Sequence, residues 1–402
     1  MTQARGKPAA ALVFALSLAA CGGGDDGVGS VGGAPLPSMG PPLTASAALG
    51  EKIFHDRSLS ASGRLSCAVC HDPNNAHAQT DRRAVQLGGR NGDVPGFRAA
   101  PSLRYLVFNP EFAFTREGEP RGGYNRDGRS RTLAEQAEHP LLAAHEMANG
   151  SKHALVERLR HTDYAGQFRA VFGAAIFDRP DDAFERAAFA LQQYQRQDER
   201  FRSFDSRYDR YLAGKATLTS TQLRGLALFN DPAKGNCAAC HPSKPAAGAP
   251  PLFTDFGYAN LGVPRNPAIR ANADPRYYDL GLCGPARTDL AGNAALCGAF
   301  KVPTLRNVAT RKVFFHNGVI ASLREAVAFH VRRDTHPWEW YPLDADGFAG
   351  KFNDLPPAYR MHVETSRAPF DRLPGMAPAL LDDEIDDVVQ FLAALTDGYA
   401  AP

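Results

Sequence analysis

Two five-residue segments of the chain, Cys67–His71 and Cys237–His241, have the pattern C-x-x-C-H. Two thiols at this spacing can add to the two vinyl groups of one haem, and the adjacent His can ligate the iron. A zinc site would need further Cys or His at ligand spacing, and a redox dithiol would need a βαβ setting and no His. Because the sequence offers neither context, it predicts two covalently bound c-type haems.

Each haem is expected to be held by two thioethers and one proximal His: Cys67, Cys70 and His71 for the first, and Cys237, Cys240 and His241 for the second. The 402 residues leave room for two or three domains. The formal net charge of +2 provides no strong field for nucleic acid or acidic membranes. No basic run or aromatic–basic alternation indicates nucleic-acid binding, so none is expected.

The N-terminus has the pattern of a targeting segment. Arg5 and Lys7 precede an apolar run that is too short to span a bilayer and that ends directly before Cys21. This end is similar to a bacterial lipoprotein processing site, which predicts a signal peptide over residues 1–20, a lipidated Cys21 and a flexible Gly/Pro-rich tether over residues 21–43. The alternative is an ordinary cleaved signal. Export is expected in both cases, since such haem attachment occurs outside the cytoplasm, and the prediction is a periplasmic, membrane-anchored protein.

Cys283 and Cys297 remain after the other cysteines have been assigned. In an oxidising compartment, two left-over cysteines most simply pair, which predicts a disulfide that closes a short loop. The alternative is two free thiols.

The chain resembles a duplication, since the second motif follows the first by 170 residues. Gly50 and Phe54 precede the first motif, and Gly225 and Phe229 precede the second, each pair on one face of a short predicted helix. Glycine there would permit a close helix crossing, and Phe would pack on haem or core. The domain boundary is expected near Tyr211–Leu218, which divides the chain into 44–214 and 215–402.

Further helices are predicted from start signals and apolar periodicity, whereas strand-like runs are few. Thr132-x-x-Glu135 opens a helix that Pro140 is expected to interrupt. The other predicted helices are one over Asp182–Arg196, one opened by the capping box Thr219-x-x-Gln222, one opened by Ser322-x-x-Glu325 and a C-terminal one that Gly398 is expected to stop.

Several segments between Ala47 and Gly398 resemble the bacterial diheme cytochrome c peroxidase superfamily, which includes the diheme enzymes of methylamine utilisation. Besides the haem motifs, the matching segments are Pro101–Leu103, Asp127–Arg129, Gln136-x-x-x-Pro140, Glu146-Met147, Lys301–Asn307, Phe315–Gly318 and the C-terminal helix. The resemblance implies an all-α fold with two cytochrome c-like haem domains in tandem. It further implies that the N-terminal haem is peroxidatic and that the C-terminal haem supplies electrons.

Within this resemblance, Glu146 matches the family's distal carboxylate on the peroxidatic haem. Cleaving peroxide moves a proton from the inner oxygen to the leaving one, and a carboxylate with a raised pKa can take and return that proton. Gln136 matches a distal glutamine that can hydrogen-bond the bound oxygen ligand. From the residues alone, a solvated Glu146 at a helix end stays open as an alternative.

His330 matches the position of the family's sixth ligand to the second haem, which is commonly Met or Tyr. Leu323, Ala326, Val327 and His330 have helical spacing, so His330 is predicted on the buried face of its helix. A satisfied core histidine is the alternative. His316 is expected to pack near the haem or the domain interface. His77 is a weaker candidate ligand, and an open distal position is preferred.

Two positions depart from the family pattern. The family's Trp between the haems is replaced by Arg126, which cannot be oxidised, so Tyr124 is a candidate relay unless electrons tunnel without one. An Asn that helps to bind an interdomain Ca²⁺ is replaced near Arg98–Pro101. Because this removes one oxygen from a site that needs six or more, Ca²⁺ is a second and weaker cofactor prediction.

The leading hypothesis is an exported diheme peroxidase that reduces hydrogen peroxide to water with electrons from a small cytochrome c or cupredoxin. Glu146 and Gln136 would act at the first haem, and His241 with His330 would be the axial pair of the second. One alternative is a diheme oxidase that modifies a partner protein or small molecule through high-valent iron. The other alternative is a non-catalytic electron carrier.

Overall fold

The computed structural model of the chain describes residues 41–246 and 248–400. This part of the chain is rich in helix and poor in sheet. Its α-helices are α1 (Ala45–His55), α2 (Cys67–Cys70), α3 (Leu133–Leu142), α4 (Lys152–Arg160), α5 (Ala165–Phe172), α6 (Pro180–Gln197), α7 (Arg207–Leu212), α8 (Ser220–Asn230), α9 (Leu323–Arg332) and α10 (Asp382–Ala393). In the described part, no helix is long and apolar enough to cross a membrane.

Three short antiparallel ribbons complete the regular structure of the described residues. They pair β1 (Leu87–Gly88) with β2 (Val94–Pro95), β3 (Ala113–Phe114) with β4 (Pro120–Arg121), and β5 (Tyr258–Ala259) with β6 (Phe300–Lys301). The third ribbon joins segments that lie about forty residues apart in the chain. Long loops make up much of the rest, as the sequence predicts.

The start signals read from the sequence are confirmed. Thr219 and Gln222 form a reciprocal capping box at α8. The side chain of Ser322 accepts a hydrogen bond from the backbone N–H of Glu325 and caps α9, and the side chain of Thr132 caps α3 in the same way. These caps satisfy amide groups that lack helical partners, so they fix where each helix begins.

Two predicted helix ends differ from the structure. α3 continues through Pro140 to Leu142: proline lacks an N–H of its own, but the helical hydrogen bonds resume after it, since the backbone N–H of Ala143 donates to the carbonyl oxygen of His139 at 2.9 Å. α10 already ends at Ala393, before Gly398.

Both repeated glycines lie at helix crossings. A Cβ atom on Gly50 of α1 would lie 2.0 Å from the backbone oxygen of Ala190 in α6. A Cβ atom on Gly225 of α8 would lie 2.0 Å from the backbone oxygen of Asp387 in α10. Real Cβ atoms do not approach this closely, so the predicted role of these glycines in close helix crossing is confirmed.

Two apolar cores lie in the described part of the chain. The first draws its buried residues from Leu49 to Phe201 and includes Phe54; the second draws them from Tyr208 to Leu395 and includes Phe229. α7 precedes the expected boundary at 214/215, yet its Tyr208 packs in the second core, and the boundary stays a prediction.

Cys283 and Cys297 form a disulfide, as predicted. The predicted signal peptide over residues 1–20, the lipidated Cys21 and most of the tether over residues 21–43 lie outside the described residues.

Candidate functional site

The first C-x-x-C-H motif forms the short helix α2, and His71 follows its last residue. The Nδ1 atom of His71 lies 2.9 Å from the carbonyl oxygen of Pro101. A carbonyl can only accept, so this hydrogen bond requires the proton on Nδ1 and leaves the lone pair of Nε2 free for a metal. Desolvation by the surrounding protein lowers the pKa of His71 to about 4, which keeps the imidazole neutral as a ligand must be.

The second motif repeats this arrangement. Cys237–Ala239 form one 3₁₀ turn, and the Nδ1 atom of His241 lies 2.8 Å from the carbonyl oxygen of Phe253. Desolvation again lowers the pKa of this His to about 4. In both motifs the carbonyl of a later loop, 30 residues on for His71 and 12 residues on for His241, fixes the tautomer and the orientation of the proximal His.

The cysteines of both motifs are suited to covalent haem attachment. Cys67, Cys70, Cys237 and Cys240 carry free thiols. Two thiols and one neutral imidazole at each motif therefore fit a c-type haem.

A cavity of about 330 Å³ adjoins the second motif. Its walls include Cys237, Cys240, His241 and His330, together with apolar side chains such as Phe314 and Leu392. A largely apolar cavity with two imidazoles and two thiols on its walls can take a flat, apolar metal macrocycle.

His330 projects into this cavity from α9. Its Nδ1 atom lies 2.7 Å from the carbonyl oxygen of Ala326, one turn earlier, which leaves Nε2 free. Its ring stacks on Phe315 with a centroid distance of 5.5 Å. Desolvation lowers its pKa to about 4, and the proximity of His241 contributes to the shift. The structure thus brings together His241 and His330 on one cavity.

Glu146 lies close to the first motif, in the turn after α3. The ribbon β1–β2 packs against its backbone: the N–H of Gly89 donates to the carbonyl oxygen of Glu146 at 2.8 Å, and a Cβ on Gly88 would lie 2.7 Å from its Cα. The side chain is solvent-accessible, but nearby protein desolvates it and raises its pKa to about 6. Its charge acts on both thiols of the motif, Cys67 and Cys70.

Gln136 lies on α3 and is half-buried. It lines the same cavity as His241 and His330. Among the described residues, its side chain forms no hydrogen bond to Glu146. The predicted distal role of Gln136 therefore stays a prediction.

The two weaker histidine candidates are both engaged in packing. His77 is fully buried, stacks on Phe201 with a centroid distance of 3.9 Å, and has a pKa lowered to about 2, mainly by desolvation. His316 is buried and stacks on Phe300 at 3.7 Å, with its Nε2 atom 3.5 Å from a carboxylate oxygen of Asp354. His316 also lines the cavity.

The segment that departs from the family pattern connects the two motifs. The guanidinium of Arg126 donates from Nε and Nη2 to the carbonyl oxygen of Ala99 at 3.1 and 3.0 Å. The backbone N–H of Lys301 donates to the carbonyl oxygen of Arg126 at 2.8 Å. Tyr124 is buried close by, with the Lys301 ammonium 5.9 Å from its ring centroid.

The carboxylates near the expected Ca²⁺ position are bound by a side chain instead. Arg98 donates to Asp279 through two hydrogen bonds of 2.6 and 2.7 Å and to Asp127 through one of 2.6 Å. Arg129 also binds Asp127. Because a guanidinium already holds these oxygens, they do not fit a Ca²⁺ site.

Sequence reasoning missed the carbonyl partners of the proximal histidines and the cations on the cavity wall. The available signal was indirect: Pro101 and Lys301 both lie in segments that resemble the family. Which carbonyl meets which ring depends on loop packing, and the residue types do not encode it.

Comparisons with known proteins show which family the chain resembles. A family profile described as di-haem cytochrome c peroxidase matches residues 44–217. The methylamine utilization protein MauG of Paracoccus denitrificans is 36% identical over 382 residues, which cover 90% of this chain and 91% of MauG. Cytochrome c551 peroxidase of Nitrosomonas europaea is 30% identical over 302 residues, which cover 73% and 75% of the two chains.

The crystal structure of the diheme peroxidase BthA from Burkholderia thailandensis superposes with a TM-score of 0.82 at 40% identity. The match covers 90% of this chain and 88% of BthA. The extent of these matches, together with two haem-attachment motifs of common design, shows that the chain belongs to the diheme cytochrome c peroxidase superfamily, a family of oxidoreductases.

Proposed function

We propose that this protein is an exported diheme peroxidase that reduces hydrogen peroxide to water with electrons from a small redox protein, a cytochrome c or a cupredoxin. When bound, the haem at Cys67–His71 supplies the metal centre for peroxide, and the haem at Cys237–His241 supplies electrons. Peroxidases among the relatives, such as cytochrome c551 peroxidase, support this assignment.

The position of Glu146 beside the first haem motif, where its charge acts on both Cys67 and Cys70, carries the proposal, and its raised pKa supports it. A carboxyl with a pKa of about 6 is mostly ionised at neutral pH, so it can accept a proton from hydrogen peroxide. It is also basic enough to hold that proton and return it to the leaving oxygen. An electron carrier has no use for such an acid beside its haem motif. Gln136 is proposed to hydrogen-bond the oxygen ligand, as the family resemblance implies.

The neighbouring residues hold the imidazoles in place. The carbonyl of Pro101 orients His71 as proximal ligand. The carbonyls of Phe253 and Ala326 orient His241 and His330, whose free Nε2 atoms would hold the iron of the second haem. Two imidazole ligands would leave that iron closed to peroxide and would suit it to electron transfer.

Stopped-flow optical spectroscopy with hydrogen peroxide, before and after one-electron reduction, tests the proposed activity. A peroxidase reacts rapidly and turns over when the donor supplies electrons. A protein that is inert towards peroxide in both redox states would be an electron carrier, and the proposal would be wrong.

A second candidate is the oxidation of a partner protein or small molecule. The similarity to MauG over nine-tenths of the chain favours it, since the entire diheme core is shared. The same experiment separates the two, because such an oxidase reacts with peroxide and keeps its oxidising equivalents in the absence of an electron donor.

We further propose that the protein is periplasmic and anchored through a lipid on Cys21. The lipoprotein-like end of the apolar run supports this proposal. Mass spectrometry of the mature N-terminus tests it: a diacylglyceryl-modified Cys21 is expected, whereas an unmodified N-terminus would show an ordinary cleaved signal.

A further inference from the structure

Three cations on the wall of the cavity beside the second motif have no role in the site described above. They are Arg126, Lys301 and Arg311, here called the cation cluster. Each comes from a different segment, yet the backbone hydrogen bond from Lys301 to Arg126 fastens two of these segments together.

The cation cluster is bound only by neutral carbonyl groups. Arg126 donates to the carbonyl oxygen of Ala99, Arg311 to that of Ala100 at 3.2 Å, and Lys301 to that of Gly123 at 2.6 Å. Among the described residues, none of the three forms a salt bridge. Asp127, which acts electrostatically on Lys301, is already bound by Arg98 and Arg129.

The other charged residues that line the cavity each form a salt bridge with a residue of opposite charge in the described structure. The pairs are Asp279 with Arg98, Asp354 with Arg265, Glu364 with Arg367, and Arg306 with Asp209. The cation cluster is therefore left without a counter-charge, and the cavity has an excess of positive charge.

Such an excess is unfavourable away from bulk water. The three side chains are partly accessible because they line the cavity, but protein surrounds them closely. Desolvation is the main cause that lowers the pKa of Lys301 to about 7, of Arg126 to about 9 and of Arg311 to about 10. A bound anion would relieve this cost.

We propose that the cation cluster binds the propionate carboxylates of the haem attached at Cys237 and Cys240. The cavity holds the attachment cysteines and both proposed axial histidines, so the carboxylates expected in it are those of the macrocycle itself. Guanidinium groups match the planar geometry of a carboxylate and form strong, charge-assisted hydrogen bonds with it. This inference rests on the haem content of the proposed function but not on peroxide turnover.

The cation cluster then sets the potential of this haem. Reduction adds one negative charge to the iron, and nearby cations favour that state electrostatically. Removal of one cation leaves a propionate uncompensated, favours the ferric state and lowers the midpoint potential. Arg126 thus has an electrostatic role at the position where the family has an oxidisable Trp.

Optical redox titration of the holoprotein tests the proposal. Arg126→Gln, Lys301→Met and Arg311→Gln are each expected to lower the equilibrium constant for reduction of this haem by at least about tenfold, which is ~59 mV for a one-electron couple. Arg324→Gln is the matched control, because Arg324 lies on the exposed side of α9 and pairs with Asp382 and Asp386. It should leave the potential unchanged.

Charge-retaining variants separate electrostatics from damage to the fold. Arg126→Lys, Lys301→Arg and Arg311→Lys are expected to keep a potential close to that of the wild type. If each lowers the potential as much as its neutral counterpart, or if all neutral variants titrate like the wild type, the proposal is overturned.

Two measurements on the wild type need no variant. The resonance Raman bending mode of the haem propionates should have the position of strongly hydrogen-bonded carboxylates, and a position typical of solvated propionates would contradict the proposal. Added acetate should leave the midpoint potential unchanged, because the propionates already occupy the cation cluster. A potential that changes with acetate would show that the cluster binds anions from solution and would contradict the proposal. A protein that does not react with peroxide but shows these properties would refute the proposed function alone.

Discussion

The region around His71 and the region around His241 are built alike up to the proximal His and differ beyond it. Both place a free thiol pair on a short helical turn and fix the imidazole through a loop carbonyl. Beside the first motif lies Glu146, an acid with a raised pKa; on the cavity of the second lies His330, an imidazole with a free Nε2. The two regions thus share a scaffold and differ in the side chain that lies beside it.

The scaffold itself is also repeated. In each region, one helix before the motif crosses another helix at a glycine, Gly50 with Ala190 and Gly225 with Asp387. The second region alone adds a disulfide among the described residues. The difference between the two regions therefore does not extend to the glycine at each helix crossing.

The largest expected effect concerns the sixth ligand of the second haem. In His330→Ala, the second haem should lose its sixth ligand completely, become high-spin and bind exogenous ligands such as cyanide, because the imidazole on α9 is gone. Electron paramagnetic resonance and ligand titration measure this. His153→Ala, at an exposed position on α4, is the control. An unchanged low-spin spectrum in His330→Ala would make this residue a packing histidine.

The next largest effect concerns the acid–base group beside the first haem motif. Glu146→Gln keeps the shape of the side chain but removes its titrating proton, so the reaction with hydrogen peroxide should slow by at least about tenfold, with haem content unchanged. Stopped-flow kinetics measure the rate. Glu157→Gln, on the surface of α4, should react like the wild type. Wild-type rates in Glu146→Gln would remove this carboxylate from the mechanism.

A smaller effect tests whether the two scaffolds are equivalent. Gly50→Ala and Gly225→Ala should each destabilise the fold by about 1–3 kcal/mol or more, because the new methyl group collides with a backbone oxygen that cannot move freely. Thermal unfolding measures both. Gly166→Ala in α5 is the control, since a Cβ there meets nothing within 4 Å and alanine favours the helix. Tolerance at only one crossing would show that the two copies pack differently.

The smallest effect is the pH dependence of the first site. Because desolvation raises the pKa of Glu146 to about 6, its proton-accepting form is lost below that pH, and the peroxide reaction should fall by about fivefold from pH 6 to pH 5. Glu146→Gln should lack this limb. The same pKa shift affects folding. Because the pKa of Glu146 is higher in the folded state than in the unfolded state, ionisation of this carboxyl lowers the free energy of unfolding, and the loss develops as pH rises from 4.5 to about 6. Thermal unfolding of Glu146→Gln should lack this pH-dependent loss as well.

Local chemistry explains what the sequence could predict. Haem attachment, helix caps and the disulfide each depend on a few side chains at fixed spacing. The disulfide joins Cys283 to Cys297, and the caps are formed by Thr219 with Gln222 and by Ser322. The role of Gly50 could be predicted because the motif is repeated around Gly225.

Features that depend on packing could not be predicted from the same patterns. Pro140 was expected to interrupt α3, but neighbouring hydrogen bonds keep the helix intact. No sequence pattern indicates that Pro101 and Phe253 supply the carbonyls for the proximal histidines, or that Arg311 lacks a counter-charge, because both depend on how the loops pack.

The backbone hydrogen bond from Lys301 to Arg126 has a consequence for electronic coupling between the two metal sites. An unbroken series of covalent and hydrogen bonds runs from His71 to His241. Hydrogen bonds join His71 to Pro101 and Ala99 to Arg126, and the backbone bond then crosses to Lys301. From there the chain leads to Leu305, which is hydrogen-bonded to Phe253, and Phe253 binds His241. With both haems bound, such a route would provide a through-bond tunnelling pathway whose steps need no oxidisable side chain.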